Sequence, residues 1–227
     1  MNILSIDLDY FWSSTLSNEI DTQKTLTKDY ELFLGQINKL KYSNVKVGID
    51  HSELLLEIDE QYNSKKLNIT NLDAHHDLFL KDYKLWLLER GTRGKYVEIG
   101  NFFYFLLQEN KLNSYQWIVP QYFDIEQTKL KLNNEVGNYY YSKINLSKSL
   151  NHINDKHYDL FFISISPEWI PKTAMDWIVD VLNIFNIQLE LIEKLRSKIN
   201  ERWNLKDNNT LIRNHRFKYP NNFLNAK

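Results

Sequence analysis

Three short segments concentrate carboxylates and imidazoles: Ser5-Ile6-Asp7-Leu8-Asp9, Gly48-Ile49-Asp50-His51-Ser52 and Asn71-Leu72-Asp73-Ala74-His75-His76-Asp77. Each ends an apolar stretch. In a strand, residues two apart share a face, so Asp7 with Asp9, and Asp73 with His75, would aim two ligands at one spot. Ligand-type residues at i, i+2 and i+4 leaving an apolar strand would set unpaired charge beside the core unless a cation neutralises it. A divalent metal does so. The donors are carboxylate oxygen with some imidazole and no sulfur, which suits manganese better than structural zinc and leaves zinc and iron open. The six candidates, Asp7, Asp9, His51, Asp73, His75 and Asp77, exceed what one ion needs. Two ions sharing bridging carboxylates account for the surplus, and paired metals are a common device for activating a hydroxide between them.

The elements that must position these residues alternate along the chain. Strand-like apolar runs cover 3–8, 45–49, 67–72, 117–119, 139–146 and 158–165, while helical spacing covers 30–40, 54–62, 102–107 and 173–199. Alternation of this kind predicts an α/β fold of three layers, α/β/α, with a mainly parallel sheet. In such folds ligands bind outside the carboxyl ends of the strands, where all three clusters fall. Residues 1–203 are expected to form a single catalytic domain, followed by a polar, basic tail over 204–227.

Composition narrows the function. At 227 residues and 43% hydrophobic content the chain can bury one sizeable core. Its 28 basic and 29 acidic residues nearly cancel, which argues against a nucleic-acid partner. Without cysteine there is no disulfide framework and no thiolate-bound zinc. No stretch approaches about 18 apolar residues and the chain opens on a strand rather than a signal segment, so no membrane partner and a cytoplasmic location are expected. The apolar helical face over 173–199 reads as core packing or a homo-oligomer contact.

Residues 48–52 resemble the Gly-Gly-Asp-His-Ser motif of the arginase and agmatinase superfamily, and Asp73-Ala74-His75-His76-Asp77 resembles its Asp-Ala-His-x-Asp motif. Ser5-Ile6-Asp7-Leu8-Asp9 is similar to the superfamily's late Ser-x-Asp-x-Asp motif, here at the start, which implies a circularly rearranged N-terminal strand in an arginase/deacetylase-like fold. Gly100-Asn101-Phe102-Phe103 resembles the segment that opens the next helix, and Ile163-Ser164-Ile165-Ser166-Pro167-Glu168 resembles the late strand bearing a guanidinium-binding glutamate. The combination is most similar to a small arginase-related family that includes the peptide arginases of ribosomal-peptide biosynthesis.

The resemblance implies two Mn2+ ions per chain. One would be held by His51, Asp73, Asp77 and Asp7, the other by Asp73, His75, Asp7 and Asp9, with Asp73 and Asp7 bridging. It also implies hydrolysis of an arginine side chain in a peptide to ornithine, with release of urea. Asp77 would orient the nucleophile and move its proton, and Glu168 would hold the guanidinium, with Glu53 and Glu98 as rivals for that role. Some residues depart from the pattern. Tyr10-Phe11-Trp12 follow Asp9 where a further aspartate and proline are usual, and Phe103 stands where the family carries a histidine, so Glu98 or His76 is left to move protons. Leu78, Phe79 and Leu80 replace the polar residues that hold the head group of a free amino acid, which fits an arginine within a peptide. Two other readings stay open: a single-zinc amidohydrolase of the deacetylase type, and a metal-stabilised module that binds a peptide without turnover.

Overall fold

The computed structural model describes residues 1–13, 24–62, 65–78, 96–97, 100, 102–108, 110–136, 141–207 and 217–218. In chain order the strands are β1 (Asn2–Asp7), β2 (Lys41–Tyr42), β3 (Val45–Gly48), β4 (Leu67–Leu72), β5 (Tyr96–Val97), β6 (Leu112–Ile118), β7 (Ile144–Ser147), β8 (His157–Tyr158), β9 (Leu160–Ser164) and β10 (Phe217–Lys218). The α-helices are α1 (Lys28–Ile37), α2 (Leu54–Tyr62), α3 (Phe102–Gln108), α4 (Ile125–Val136), α5 (Met175–Ile184) and α6 (Leu189–Asp207). Six strands form one sheet in the order β3-β9-β1-β4-β6-β7, with every pairing parallel.

Alternation along the strands divides the apolar side chains between two faces. Leu4, Ile6, Phe161 and Ile163 pack with Phe33 of α1, Ile178 and Leu182 of α5, and Ile192, Leu195, Ile199 and Trp203 of α6. Ile3, Ile69, Trp117, Leu160 and Phe162 pack on the other face with Leu54 and Ile58 of α2, Phe102 and Phe103 of α3, and Leu132 and Val136 of α4. Both faces of the sheet are therefore covered by helices, the arrangement that lets a parallel sheet bury all its strands. Among the described residues no helix is long and apolar enough to cross a membrane.

Convergence of the three clusters predicts β1 at the centre of the sheet, flanked by the strands that lead to His51 and Asp73; it is central, but only the second of these is its neighbour. It pairs with β4, and β9 lies between it and β3. The turn after β3 therefore reaches the site across β9, and Gly48 is needed there: a Cβ would meet Phe162 Cζ at 2.7 Å and Glu53 Oε2 at 3.1 Å.

The single helix predicted over 173–199 is two. α5 closes in a Schellman motif: Asn186 sits at φ 54°, its N–H returning to the Asn183 carbonyl (3.0 Å) and that of Ile187 to the Leu182 carbonyl (3.2 Å). α6 continues to Asp207, so the boundary expected at 203 falls inside it, and β10 of the tail pairs with β5. α4, which the sequence reading did not include, starts where Asp124 Oδ1 accepts the N–H groups of Glu126 (2.9 Å) and Gln127 (3.0 Å). It buries Thr128, Leu132 and Val136, spaced four apart. The run 117–119 is the end of a longer β6, and that over 139–146 is a strand only from Ile144, with 137–140 outside the described residues.

Candidate metal centre

The expected ligands gather at the carboxyl end of the sheet, but through turns rather than strand alternation. β1 ends at Asp7, and Asp9 lies in the 3-10 turn Leu8–Phe11. β4 ends at Leu72, and the segment from Asp73 to Asp77 is irregular, with Asp77 at φ 51°. Left-handed backbone at an aspartate is uncommon and is held here by its surroundings. Trp117 Nε1 donates to the Asp73 carbonyl (2.9 Å), Tyr115 Oη to that of His76 (3.0 Å), and the Phe103 N–H to that of Asp77 (3.1 Å).

Two groups of side chains result. Asp7, His51 and Asp73 form one and Asp9, Asp73 and His75 the other, each with its potential ligand atoms within 4.8 Å of one another. Asp73 belongs to both, whereas Asp7 is found in the first alone. Asp77 joins the first, with its Oδ2 2.9 Å from His51 Nδ1, beside Asp73 Oδ2 at 3.0 Å and Asp7 Oδ2 at 3.5 Å. In the second, His75 Nδ1 lies 3.1 Å from Asp9 Oδ2.

These approaches reach ion-pair distance without hydrogen-bond geometry. His51 Nδ1, Asp77 Oδ2 and both oxygens of Asp9 are buried with no hydrogen-bond partner. Leaving such atoms unpaired is costly, and a cation between them removes the cost. The spacing agrees: ligands about 2.1 Å from a shared ion stand about 3.0–3.4 Å apart. Either group can hold a metal ion.

Titration tells the same story for the metal-free protein. Burial, then the charges of Asp9 and Asp73, raise the Asp7 carboxyl well above its ordinary value. Burial also raises Asp9 and Asp73. Burial alone would lower both histidines, yet Asp73 and Asp77 raise His51 well above its ordinary value, and Asp9 leads in raising His75 to about 10.

Supporting residues complete the centre. Ser5 Oγ lies 2.6 Å from His51 Nε2, so a proton on Nε2 donated to Ser5 leaves Nδ1 as a lone pair facing the carboxylates. Asn71 Nδ2 donates to Asp73 Oδ2 (3.2 Å) and to Tyr115 Oη (3.0 Å), and Ser166 Oγ donates to Asp7 Oδ2 (2.6 Å). Ser5 was legible in principle, two residues before Asp7 on the same strand face; Asn71, Tyr115 and Ser166 carry no local signal for their roles. Ser5→Ala is expected to weaken the first metal about 10- to 100-fold while sparing the second, measured by metal titration. Equal weakening of both would exclude this tautomer-setting role.

Several expected roles change. His76 does not face the ligands: its Nε2 meets Glu135 Oε2 at 2.5 Å and its Nδ1 accepts the Leu78 N–H, which ties the ring into a structural contact rather than a proton path. Glu53 Oε1 accepts the Asp50 N–H (3.2 Å) as a cap. Glu168 has a guanidinium partner already, because Arg202 Nε donates to its Oε1, while its Oε2 is buried without a partner. Glu168, expected to hold a substrate guanidinium, thus already holds one from its own chain. Phe103 is fully buried against the His51 ring, 5.7 Å between centroids, a packing role where a histidine was missed. Leu78 is in the core instead of at the mouth. Glu98, Phe79 and Leu80 lie outside the described residues. Five of the six ligands are buried; the His75 side chain is 27% exposed and packs on Trp169, 4.9 Å between ring centroids, so the centre opens there.

No family model, no curated protein and no solved structure matches the chain.

Proposed function

We propose that the chain is a binuclear manganese hydrolase that converts arginine side chains within a peptide to ornithine and urea. The observation that carries this reading is the shared carboxylate: Asp73 belongs to two adjoining ligand groups, which is what two ions at one centre require. The charges support it. The carboxylates of Asp7, Asp9, Asp73 and Asp77 match two divalent cations, and the oxygen-rich, sulfur-free donor set suits manganese. Bound there, the cations would lower the pKa of a shared water and supply a nucleophile at neutral pH.

The chain's own residues account for the rest. Water adds to the guanidinium carbon, the bond to the arginine side-chain Nε breaks, and a proton passes to the departing amine. Asp77, whose Oδ2 lies beside His51 in the first group, would use its other oxygen to orient the water and pass that proton. A cationic side chain entering beside His75 meets the ring of Trp169, whose face favours a planar cation. The substrate class rests on the resemblance: Leu78, Phe79 and Leu80 stand where its free-arginine members carry polar anchors for the amino-acid head group, and without such anchors a free zwitterion would be desolvated without compensation.

Incubation of the manganese-loaded protein with an arginine-containing peptide should release urea and lower the peptide mass by about 42 Da per site, the mass of CH2N2. Free arginine should react at least about 100-fold less efficiently. Comparable specificity constants for free arginine and the peptide would remove the peptide assignment. One zinc per active chain, with deacetylation and no urea, would replace it by the deacetylase reading.

A further inference from the structure

Arg202 lies on α6, far along the chain from every ligand, yet it is 6% exposed and its guanidinium ends in the turns that carry them. Its Nε donates to Glu168 Oε1 and its terminal nitrogen to Asp50 Oδ1. Asp50 immediately precedes the ligand His51. Glu168 follows Ser166, whose hydroxyl holds the ligand Asp7. The same turn of α6 adds Trp203, whose Nε1 donates to the Pro167 carbonyl (2.7 Å). The two ligand-bearing turns are also joined directly: the Ile165 N–H donates to the Gly48 carbonyl (3.1 Å) and that of Ser166 to the Ile49 carbonyl (2.8 Å).

Without a cation between them, Asp50 and Glu168 would be two carboxylates in mutual repulsion at the joint between those turns. A flat guanidinium is suited to hold both, since it presents donors in a fixed fork, whereas an ammonium is a single point of charge. We infer that Arg202 is a positioning residue for the first metal group: by drawing Asp50 and Glu168 onto one cation it fixes the turn of His51 and, through Ser166, the orientation of Asp7. Asp9 and His75, which complete the second group, accept no hydrogen bond from Arg202, Asp50 or Glu168, and His75 meets the second turn only through ring packing on Trp169, so the larger effect falls on the first ion. The role rests on the metal-centre reading.

The test is titration of the full-length protein with Mn2+, following free and bound ion by electron paramagnetic resonance, with thermal melting of the metal-free protein alongside. Arg202→Met should weaken the first ion about 10- to 100-fold, the range for supports behind a ligand, and leave the second within about threefold. Arg202→Lys should recover part of the loss, and Arg202→Met combined with Asp50→Asn and Glu168→Gln should recover more, because no carboxylates are left to repel. If Arg202→Met does not fold, Glu168→Gln decides, with the same selective loss expected. Unchanged binding of both ions, or equal loss of both in step with the metal-free melting temperature, overturns the positioning role. Wild-type protein that binds two ions while the variants bind like it overturns this role alone; wild-type protein that binds no Mn2+ overturns the metal centre with it.

Discussion

Asp73→Asn should leave the protein folded but unable to hold its second ion, and should cut urea formation by at least about a thousandfold. Asp73 is the one side chain found in both ligand groups. The amide keeps the shape of the carboxylate and can still accept from the His75 N–H, which Asp73 Oδ1 does at 2.8 Å. What it lacks is the negative charge. With it gone, the second group keeps only Asp9 and His75, too few for a resident ion, and the first falls to Asp7, His51 and Asp77. The metal-free variant should melt no lower than the wild type, because in that state Asp73 is one of several buried carboxylates that repel one another. Asp29→Asn, at a buried aspartate on α1 away from the centre, serves as the control and should retain both ions. Two ions and undiminished turnover in Asp73→Asn would defeat the binuclear assignment.

Metal removal should destabilise the protein, by more as the pH rises. At a metal concentration a hundredfold above Kd, each site contributes about 2.7 kcal/mol, so two sites give about 5 kcal/mol. For a chain of this size that is a loss of about 10–20 °C in melting temperature on chelation. The pH dependence follows from the histidines and carboxylates together. His75 titrates near 10 in the folded metal-free state, above its ordinary 6.5, so its contribution is fully present below about pH 6.5 and is lost as pH climbs toward 10. Asp7, Asp9 and Asp73 are also raised in the folded state, so they too favour folding at low pH and lose that contribution as pH rises. The metal-free protein should therefore melt about 5–10 °C lower at pH 9 than at pH 6. Metal binding needs these same groups deprotonated, so the loaded protein moves the other way relative to it. A gap between loaded and chelated melting curves that stays constant or narrows from pH 6 to pH 9 would contradict the ligand set.

The sheet and the residues that gather at its carboxyl end were legible because both leave local marks. Apolar runs such as Ile3 to Leu8 declare buried strands, and charged residues at their ends have few reasons to be there. Which strands touch is a different matter. That β9 separates β1 from β3 depends on pairing between residues such as Asp7 and Ser164, which no local pattern records. The turns at Asp9 and Asp77 look like strand continuations in the sequence because a spacing of two suits both. Arg202 was invisible for a stronger reason: an arginine amid the charged face of a helix looks solvated until the fold brings Asp50 and Glu168 to it. α4 shows the opposite case, a helix whose start at Asp124 and four-residue spacing were available but whose low apolar content concealed it.

The position of β1 bears on the order in which the molecule is made. Among the described strands it is the first to be synthesised, yet it is sealed on one side by β4 and on the other by β9, whose residues from Leu160 to Ser164 pair with Ile3 to Asp7. Contacts so distant along a chain close slowly, since a long loop must be ordered before they form. During translation the strand bearing Asp7 must therefore wait, half-paired, until β9 has emerged. The candidate metal site resting on that strand would be completed late in biogenesis, and chains cut short before β9 would carry its aspartates without the strand that seals them.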